Sequence, residues 1–311
     1  MEKIVFVEHD TLRARLRSPS FEHTMHYYVE ANHGDLMELL KDATVVIVNK
    51  MPLRADVLKR LPRLKLIAVV ATGTDNIDLE FCRARGIEVR NVRGYARETV
   101  PEHVMMMALA LSRKLLSYRE DVRAGLWHRS DQFCLNSHWI HDLYGSTLGI
   151  VGYGTLGRGV ERLARAFGME VLISERKGAK GVREGRTPFD EVMRRSDVLT
   201  LHVPLNEETR NLIGHEELVL MKRTAFLINC ARGGVVDEWA LAGALRKGRI
   251  GGAGVDVLST EPPGLGNPLL DPDLPNIIVT PHVAWAGDRA QKELADRLVD
   301  NIEGFFKSAG D

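Results

Sequence analysis

Cysteine is scarce in this sequence. Cys82, Cys134 and Cys230 are the only three among 311 residues, and no two of them are spaced Cys-x-x-Cys. A dispersed, odd-numbered set excludes a disulfide framework and a cysteine zinc site, fits a reducing compartment, and reads as buried apolar filler. Net charge is absent as well, with 42 Lys and Arg balancing 42 Asp and Glu. No overall field draws the chain to nucleic acid or an anionic membrane, so a small molecule is the expected partner. No apolar run approaches the ~18 residues of a membrane span, and residues 4–7, ahead of Glu8 and Asp10, are too short a run for a signal peptide. A soluble, cytoplasmic protein is expected. Low-complexity segments and solenoid repeats are missing too. His138 and His141 have helical metal-ligand spacing, but no third ligand accompanies them, and no metal is expected.

What is present is enough apolar residue, 44% of the chain, to build a large core, and the length suits two domains better than one. The chain is organised around residues 147–157, Thr-Leu-Gly-Ile-Val-Gly-Tyr-Gly-Thr-Leu-Gly. An apolar run with strand character meets three glycines spaced G-x-G-x-x-G, and residues 158–167 continue with helical periodicity. Gly152 suits the tight turn, Gly154 lets backbone approach a pyrophosphate, and Gly157 lets helix and strand pack closely. Tyr153, Thr155 and Leu156 complete the turn, whose helix N-terminus offers N–H groups to an anion. Glu175 ends the next strand-like run, 170–174, where a carboxylate can accept from a ribose 2′-hydroxyl. Strand, turn, helix and second-strand acid together predict a dinucleotide site.

Before this stretch, residues 1–98 alternate strand-like runs (4–7, 45–49, 66–71, 87–92) with helical segments (35–41, 54–61, 79–85). That alternation predicts a βα domain with a parallel sheet. The turn Ala71-Thr72-Gly73-Thr74-Asp75-Asn76-Ile77-Asp78 follows a strand, where open α/β sheets bind ligands; it reads equally as a plain loop with Asp75 or Asn76 capping a helix. Residues 98–125 predict one continuous helix connecting two domains, with Met105, Met106 and Met107 as core filler. Residues 127–144 are irregular and aromatic, a covering loop or a subunit contact. From 147 onward six strand-like runs (147–151, 170–174, 197–203, 225–229, 253–258, 276–280) alternate with helices (188–195, 216–221, 238–247), and 288–307 form a closing amphipathic helix expected to return to the first domain.

Three stretches following strand ends carry polar groups of different kinds: Cys230-Ala231-Arg232-Gly233-Gly234, Glu261-Pro262-Pro263 and Thr280-Pro281-His282-Val283-Ala284-Trp285. A fixed guanidinium can hold a carboxylate bidentately, and a histidine can protonate a carbonyl oxygen as hydride reaches its carbon. A glutamate bonded to that histidine would fix its tautomer and favour its charged form. Each residue also has a plain reading, with Arg232 as a helix cap, Glu261 on the surface and His282 in a structural role. Sequence spacing does not show that the three meet.

These stretches, together with Gly73-Thr74-Asp75-Asn76-Ile77-Asp78, Leu201-His202-Val203-Pro204-Leu205 and Gly254-Val255-Asp256-Val257, resemble the D-isomer-specific 2-hydroxyacid dehydrogenases, a likeness running from residue 73 to the C-terminal helix. The resemblance implies an α/β fold of two doubly wound parallel-sheet domains. A Rossmann cofactor domain would span 99–286, and a flavodoxin-like, discontinuous substrate domain 1–98 and 287–311. It implies NAD(P)-dependent interconversion of a 2-oxo acid and a D-2-hydroxy acid. Arg232 would be the carboxylate clamp, His282 the acid/base and Glu261 its partner. Backbone around Thr72 and Gly73, with Asn76, would help hold the carboxylate. Asp256 and the Cys230 carbonyl would hold the nicotinamide carboxamide, and His202 and Pro204 would border the cofactor. A homodimer is implied, with the stretch after the long helix in its interface.

Trp127-x-x-Ser130-x-x-Phe133-Cys134 and the ending at Trp285 are similar to the glycerate dehydrogenase (hydroxypyruvate reductase) subgroup. The expected substrates are therefore hydroxypyruvate or glyoxylate, with D-lactate or another 2-oxo acid chemistry as the alternative, and an NAD-sensing binding protein as the alternative of another class. Arg93 stands where the family often has proline, and with Arg97 it reads either as solvated surface charge or as room for a more acidic substrate. NAD is expected over NADP because Glu175 holds the strand end, although Arg176 and Lys177 beside it could pair with a 2′-phosphate.

Overall fold

In the computed structural model the described residues are 1–29 and 33–308, with 33–35 described by backbone alone; residues 30–32 and 309–311 of the expected substrate domain lie outside them. The chain divides into two units, Met1–Ala96 with Ala286–Asp311, and Arg97–Trp285.

The first unit holds β1 (Glu2–Phe6), β2 (His23–Tyr27), β3 (Val45–Val48), β4 (Leu66–Val69) and β5 (Glu88–Asn91), all parallel, in the order β2-β1-β3-β4-β5. This is the flavodoxin-like order. Strands β3 and β4 are buried along their whole length, as parallel strands covered on both faces must be, and so they read in sequence as unbroken apolar runs. Strand β2 has no such run and pairs only with β1. The C-terminal helix Asp288–Ser308 packs on β4 and β5 through Leu294, Ala295, Leu298 and Ile302, whose spacing of three and four residues makes one apolar stripe. Arg17 fastens its outer side, reaching Asp300 at 2.6 Å and Glu303 at 2.7 Å, and holds the Glu303 carboxyl down to about 2.

The second unit holds β6 (Thr147–Val151), β7 (Glu170–Ile173), β8 (Val198–Leu201), β9 (Phe226–Asn229), β10 (Gly252–Val255) and β11 (Ile277–Val279), parallel in the order β11-β10-β9-β8-β6-β7. The usual dinucleotide sheet has a further strand outside β7. Here it is reduced to a single parallel bridge between Ser174 and Thr187. The helix expected over 98–125 is two helices, Thr99–Ser112 and Leu115–Arg123, broken where Lys114 takes a left-handed φ of 55°. Its first half packs on β9, β10 and the helix Thr155–Ala166 of its own unit. Met105 and Met107 are core, and Met107 sits against Gly254; Met106 is exposed. Cys82 and Cys230 are buried as expected of filler, whereas Cys134 is exposed.

Candidate active site

Open α/β sheets bind ligands outside the carboxyl ends of their strands, where the strand order reverses. In the second sheet that place lies between β6 and β8. Gly152 turns there with φ of 94°, and a side-chain carbon on it would lie 2.5 Å from the His202 carbonyl. A carbon on Gly157 would lie 2.4 Å from the Gly152 carbonyl, whereas one on Gly154 would meet nothing within 4 Å. The first and third glycines are thus demanded by protein packing. The second faces open space, as an approaching pyrophosphate requires. No side chain caps the helix Thr155–Ala166, so its first N–H groups remain for an anion, beside the exposed Thr155 and half-buried Leu156. Tyr153 bonds Glu161, and the guanidinium groups of Arg158 and Arg186 lie over its ring, 5.3 and 5.0 Å from the ring centre.

At the end of β8, His202 bonds Thr200 through Nε2 at 3.0 Å. Its Nδ1 is buried with no partner among the described residues, and burial holds the ring down to about 4, so it stays neutral. Pro204 is exposed and accepts from Thr209. An orphaned buried nitrogen, a glycine opening and an uncapped helix fit a dinucleotide. At the end of β7, Glu175 is 5% exposed and engages Arg183, with Nε to Oε2 at 2.7 Å and Nη2 to Oε1 at 2.6 Å, besides the Arg176 and Arg183 amides. These donors hold its carboxyl at about 2. Arg176 is exposed, and Lys177 is committed to Glu217 at 2.7 Å.

The three polar stretches follow β9, β10 and β11, which are neighbours in the sheet. Gly233 permits the close passage of the first two loops, since a side-chain carbon there would lie 1.8 Å from the Leu258 carbonyl. Arg232 precedes it, its carbonyl held by Asn229 at 3.0 Å and its Nη1 on the Ala231 carbonyl at 2.8 Å. It caps no helix; Asp237 caps Glu238–Arg246. Glu261 accepts from the Leu258 amide at 2.9 Å and meets His282 Nδ1 with Oε2 at 2.6 Å. His282 has a left-handed φ of 54°, a conformation that costs a residue other than glycine about 1–3 kcal/mol. Its surroundings hold it there: its amide donates to the Asp256 carbonyl at 2.8 Å, and Trp285 Nε1 donates to its carbonyl at 2.9 Å. Asp256 Oδ1 accepts from Thr280 and Val283, and Oδ2 from Ala284, which leaves an acceptor position on Oδ2. Burial pushes the Cys230 thiol up, so it remains protonated beside Met107.

The sequence reading missed His103, on the helix Thr99–Ser112, whose Nε2 meets Thr280 Oγ1 at 3.1 Å. Thr280 spends its one proton on Asp256, so His103 is the donor in that pair. It also missed Arg183, eight residues beyond Glu175 and brought back by the Ser174–Thr187 bridge. His138 pairs with Asp121 at 2.9 Å, and His141 packs on Phe226.

In the first unit the Asn76 amide donates to the Asn49 and Met51 carbonyls, and Glu8 fills the backbone N–H groups of Asn49, Lys50 and Met51 at 2.7, 2.9 and 3.0 Å. These bonds brace the loop after β4. The following helix is capped by Asp78, not by Asp75 or Asn76. Thr72 Oγ1 donates to Val92, but among the described residues neither the Thr72 nor the Gly73 amide donates a hydrogen bond. Arg93 is exposed, and Arg97 lies 3.9 Å from Glu98.

Residues 105–284 match the family described as D-isomer specific 2-hydroxyacid dehydrogenase, NAD binding domain. The chain is 50% identical over 305 residues to a glycerate dehydrogenase of Methylorubrum extorquens, covering 98% of this chain and 96% of that one. It superposes with a TM-score of 0.80, at 30% identity, on a D-lactate dehydrogenase of Aquifex aeolicus complexed with NAD and lactic acid, over 98% of this chain and 96% of that one. An NADPH-dependent glyoxylate/hydroxypyruvate reductase of Sinorhizobium meliloti gives a TM-score of 0.80 at 26% identity, over 98% and 95%. A family match across most of the second unit, on glycines and polar loops that the fold places at one end of one sheet, leaves a single conclusion: the chain belongs to the D-isomer-specific 2-hydroxyacid dehydrogenases.

Proposed function

We propose that the chain interconverts a small 2-oxo acid, hydroxypyruvate or glyoxylate, and its D-2-hydroxy acid with NAD(H). The observation that carries this reading is the 2.6 Å contact of His282 Nδ1 with Glu261, whose loop adjoins the one that bears Arg232. The reduced nicotinamide, when bound, supplies a hydride to the carbonyl carbon. His282, with Nδ1 committed to Glu261, gives a proton from Nε2 to the carbonyl oxygen and takes it back in the oxidation. Glu261 fixes the tautomer and the ring orientation. Arg232 pairs with the substrate carboxylate through two parallel bonds. Thr72 and Gly73 offer amides suited to a carboxylate, with Asn76 bracing their loop.

For the cofactor, the turn from Gly152 to Gly157 would take the pyrophosphate on backbone N–H groups. Glu175 and Arg176 would flank the adenosine ribose, and His202 and Pro204 would border it at the end of β8. Asp256, through its remaining acceptor position, and the Cys230 carbonyl would hold the carboxamide. A carboxylate at the end of β7 supports NADH as a cofactor at least as good as NADPH.

The substrate assignment rests on the third carbon. Arg232 and His282 fix only the carboxylate and the oxo group, so we assign discrimination to Trp285 and to Trp127, Ser130 and Phe133 of the covering stretch, lent by this subunit or by a second one. A polar partner for a hydroxymethyl group is left unpaired by a methyl group, which is penalised for it. Hydroxypyruvate and glyoxylate are expected to be reduced with higher kcat/KM than pyruvate or branched 2-oxo acids, measured with purified protein under one set of conditions. Equal or better use of pyruvate would overturn the subgroup while sparing the dehydrogenase.

We further propose a homodimer. Trp127, Phe133, Trp139 and Tyr144 are 51, 92, 79 and 83% exposed, a concentration of aromatic surface that a monomer has no reason to keep wet. Sedimentation is expected to give twice the chain mass, and F133D with W139D to give the monomer. A wild-type monomer at micromolar concentration would refute it.

A further inference from the structure

We infer that Arg183 sets the cofactor preference of this site: its guanidinium offsets the charge of Glu175 and offers its other edge to a 2′-phosphate, so that NADPH binds nearly as well as NADH. The inference rests on the reading that the end of β7 receives the adenosine ribose.

A carboxylate has about four acceptor positions, and Glu175 receives four donors: Arg183 Nε, Arg183 Nη2, and the amides of Arg176 and Arg183, at 2.7, 2.6, 2.9 and 3.1 Å. As it stands, Glu175 is neither a bare repulsive charge nor an open acceptor for a ribose diol. The motif that ordinarily excludes a phosphate is present in sequence and compensated in structure.

The two partners are also unequal. Glu175 is 5% exposed and fixed at the strand end, whereas the Arg183 side chain is 60% exposed. An exposed guanidinium costs little to re-aim, so Arg183 is the member that can adjust. Its bonds to Glu175 use only the Nε and Nη2 edge. The Nη1 N–H groups have no partner among the described residues, and a guanidinium can serve two anions on two edges. Arg186, with Nη1 3.4 Å from the Ser174 carbonyl, and the exposed Arg176 add positive charge to the same strand end. Lys177, the other cation that the sequence offers, is held by Glu217 and is not available.

The position of Arg183 follows from topology. The outer strand of the sheet has shrunk to the Ser174–Thr187 bridge, so the chain after β7 loops out and returns within thirteen residues, bringing 183–187 back beside Glu175.

Dissociation constants of NADH and NADPH, read by energy transfer from protein tryptophan to bound nicotinamide, test the inference without turnover. In the wild type the two constants are expected to agree within about tenfold. R183Q is expected to weaken NADPH at least tenfold while NADH changes less than threefold, because the variant uncovers the Glu175 charge and removes a phosphate partner together. E175Q, which removes the charge to be offset, should shift the ratio toward NADPH. R183K keeps the charge without the fork and should fall between R183Q and wild type, which guards against a folding defect in one variant. Tight NADH binding with wild-type discrimination against NADPH above a hundredfold, or an NADPH to NADH ratio unmoved in R183Q and R183K, would overturn the role of Arg183 alone. Failure of folded wild type to bind either cofactor would overturn both it and the proposed function.

Discussion

His282→Ala is expected to lower kcat by about 100- to 10,000-fold, the range for losing a positioned acid/base, while leaving the NADH dissociation constant within twofold. The split follows from where the imidazole is fixed. Nδ1 is committed to Glu261 at 2.6 Å, so the proton moves at Nε2, and none of the groups assigned to the pyrophosphate or ribose depends on the ring. A second variant separates chemistry from backbone strain. His282 sits at φ 54°, a region where asparagine is several-fold enriched and alanine is not. If alanine harms the enzyme by relaxing the loop away from Asp256, asparagine should restore much of the rate, because the amide bonds of 282–284 to Asp256 would survive. If the loss is that of a proton donor, His282→Asn should be as slow as His282→Ala. Near wild-type kcat in either variant would remove His282 from the site.

Much of the fold is legible in the sequence for one physical reason. Parallel strands covered on both faces read as apolar runs, and β3, β4, β8 and β9 are buried along their whole length and apolar but for Thr200 and Asn229. Strand β2 is not legible, since His23-Thr24-Met25-His26-Tyr27 pairs on one side only and stays half exposed, so nothing forces an apolar pattern on it. The helix break at Lys114 is hidden similarly. Helical periodicity runs through it, and a left-handed lysine leaves no compositional mark. Exposure within a helix is likewise set by what packs against it, which is why Met106 and its neighbours Met105 and Met107 have opposite surroundings.

The site divides along the same line. Glycines at Gly152 and Gly157 are legible because local geometry demands them, a backbone carbonyl standing 2.5 and 2.4 Å from where a side-chain carbon would be. Partnerships are not local. Glu261 and His282 are 21 residues apart, and they meet because β10 and β11 are neighbours in the sheet. Arg183 reaches Glu175 through a one-residue bridge that no periodicity announces. His103 meets Thr280 across 177 residues. Strand order decides the first two and the packing of the helix Thr99–Ser112 on the sheet decides the third, and both are properties of the packed unit. The sequence supplies the residue types, and the topology chooses their partners.

Arg232→Ala is expected to cost about 2–5 kcal/mol in transition-state binding of the 2-oxo acid, the usual loss when one member of a desolvated charge pair is removed. At about 1.4 kcal/mol per factor of ten, kcat/KM should fall about 30- to 4,000-fold. The variant loses the bond from the guanidinium to the Ala231 carbonyl, but other bonds hold the backbone. Asn229 holds the Arg232 carbonyl and the Ala231 amide, and Gly233 lies under the Leu258 carbonyl, so the turn should keep its shape in the variant. The NADH dissociation constant and melting temperature are therefore expected to stay near wild type, which distinguishes a lost clamp from a collapsed loop. Arg232→Lys keeps the charge but not the planar fork, and a lysine ammonium cannot make two parallel bonds to one carboxylate. It should recover part of the loss, and mainly in KM. A 2-oxo aldehyde or ketone of the same size, lacking the carboxylate, gives the control: its slow reduction should be indifferent to residue 232. If kcat/KM for the 2-oxo acid were equally indifferent, Arg232 would not be the carboxylate partner, and the charge that binds the substrate would have to come from another residue.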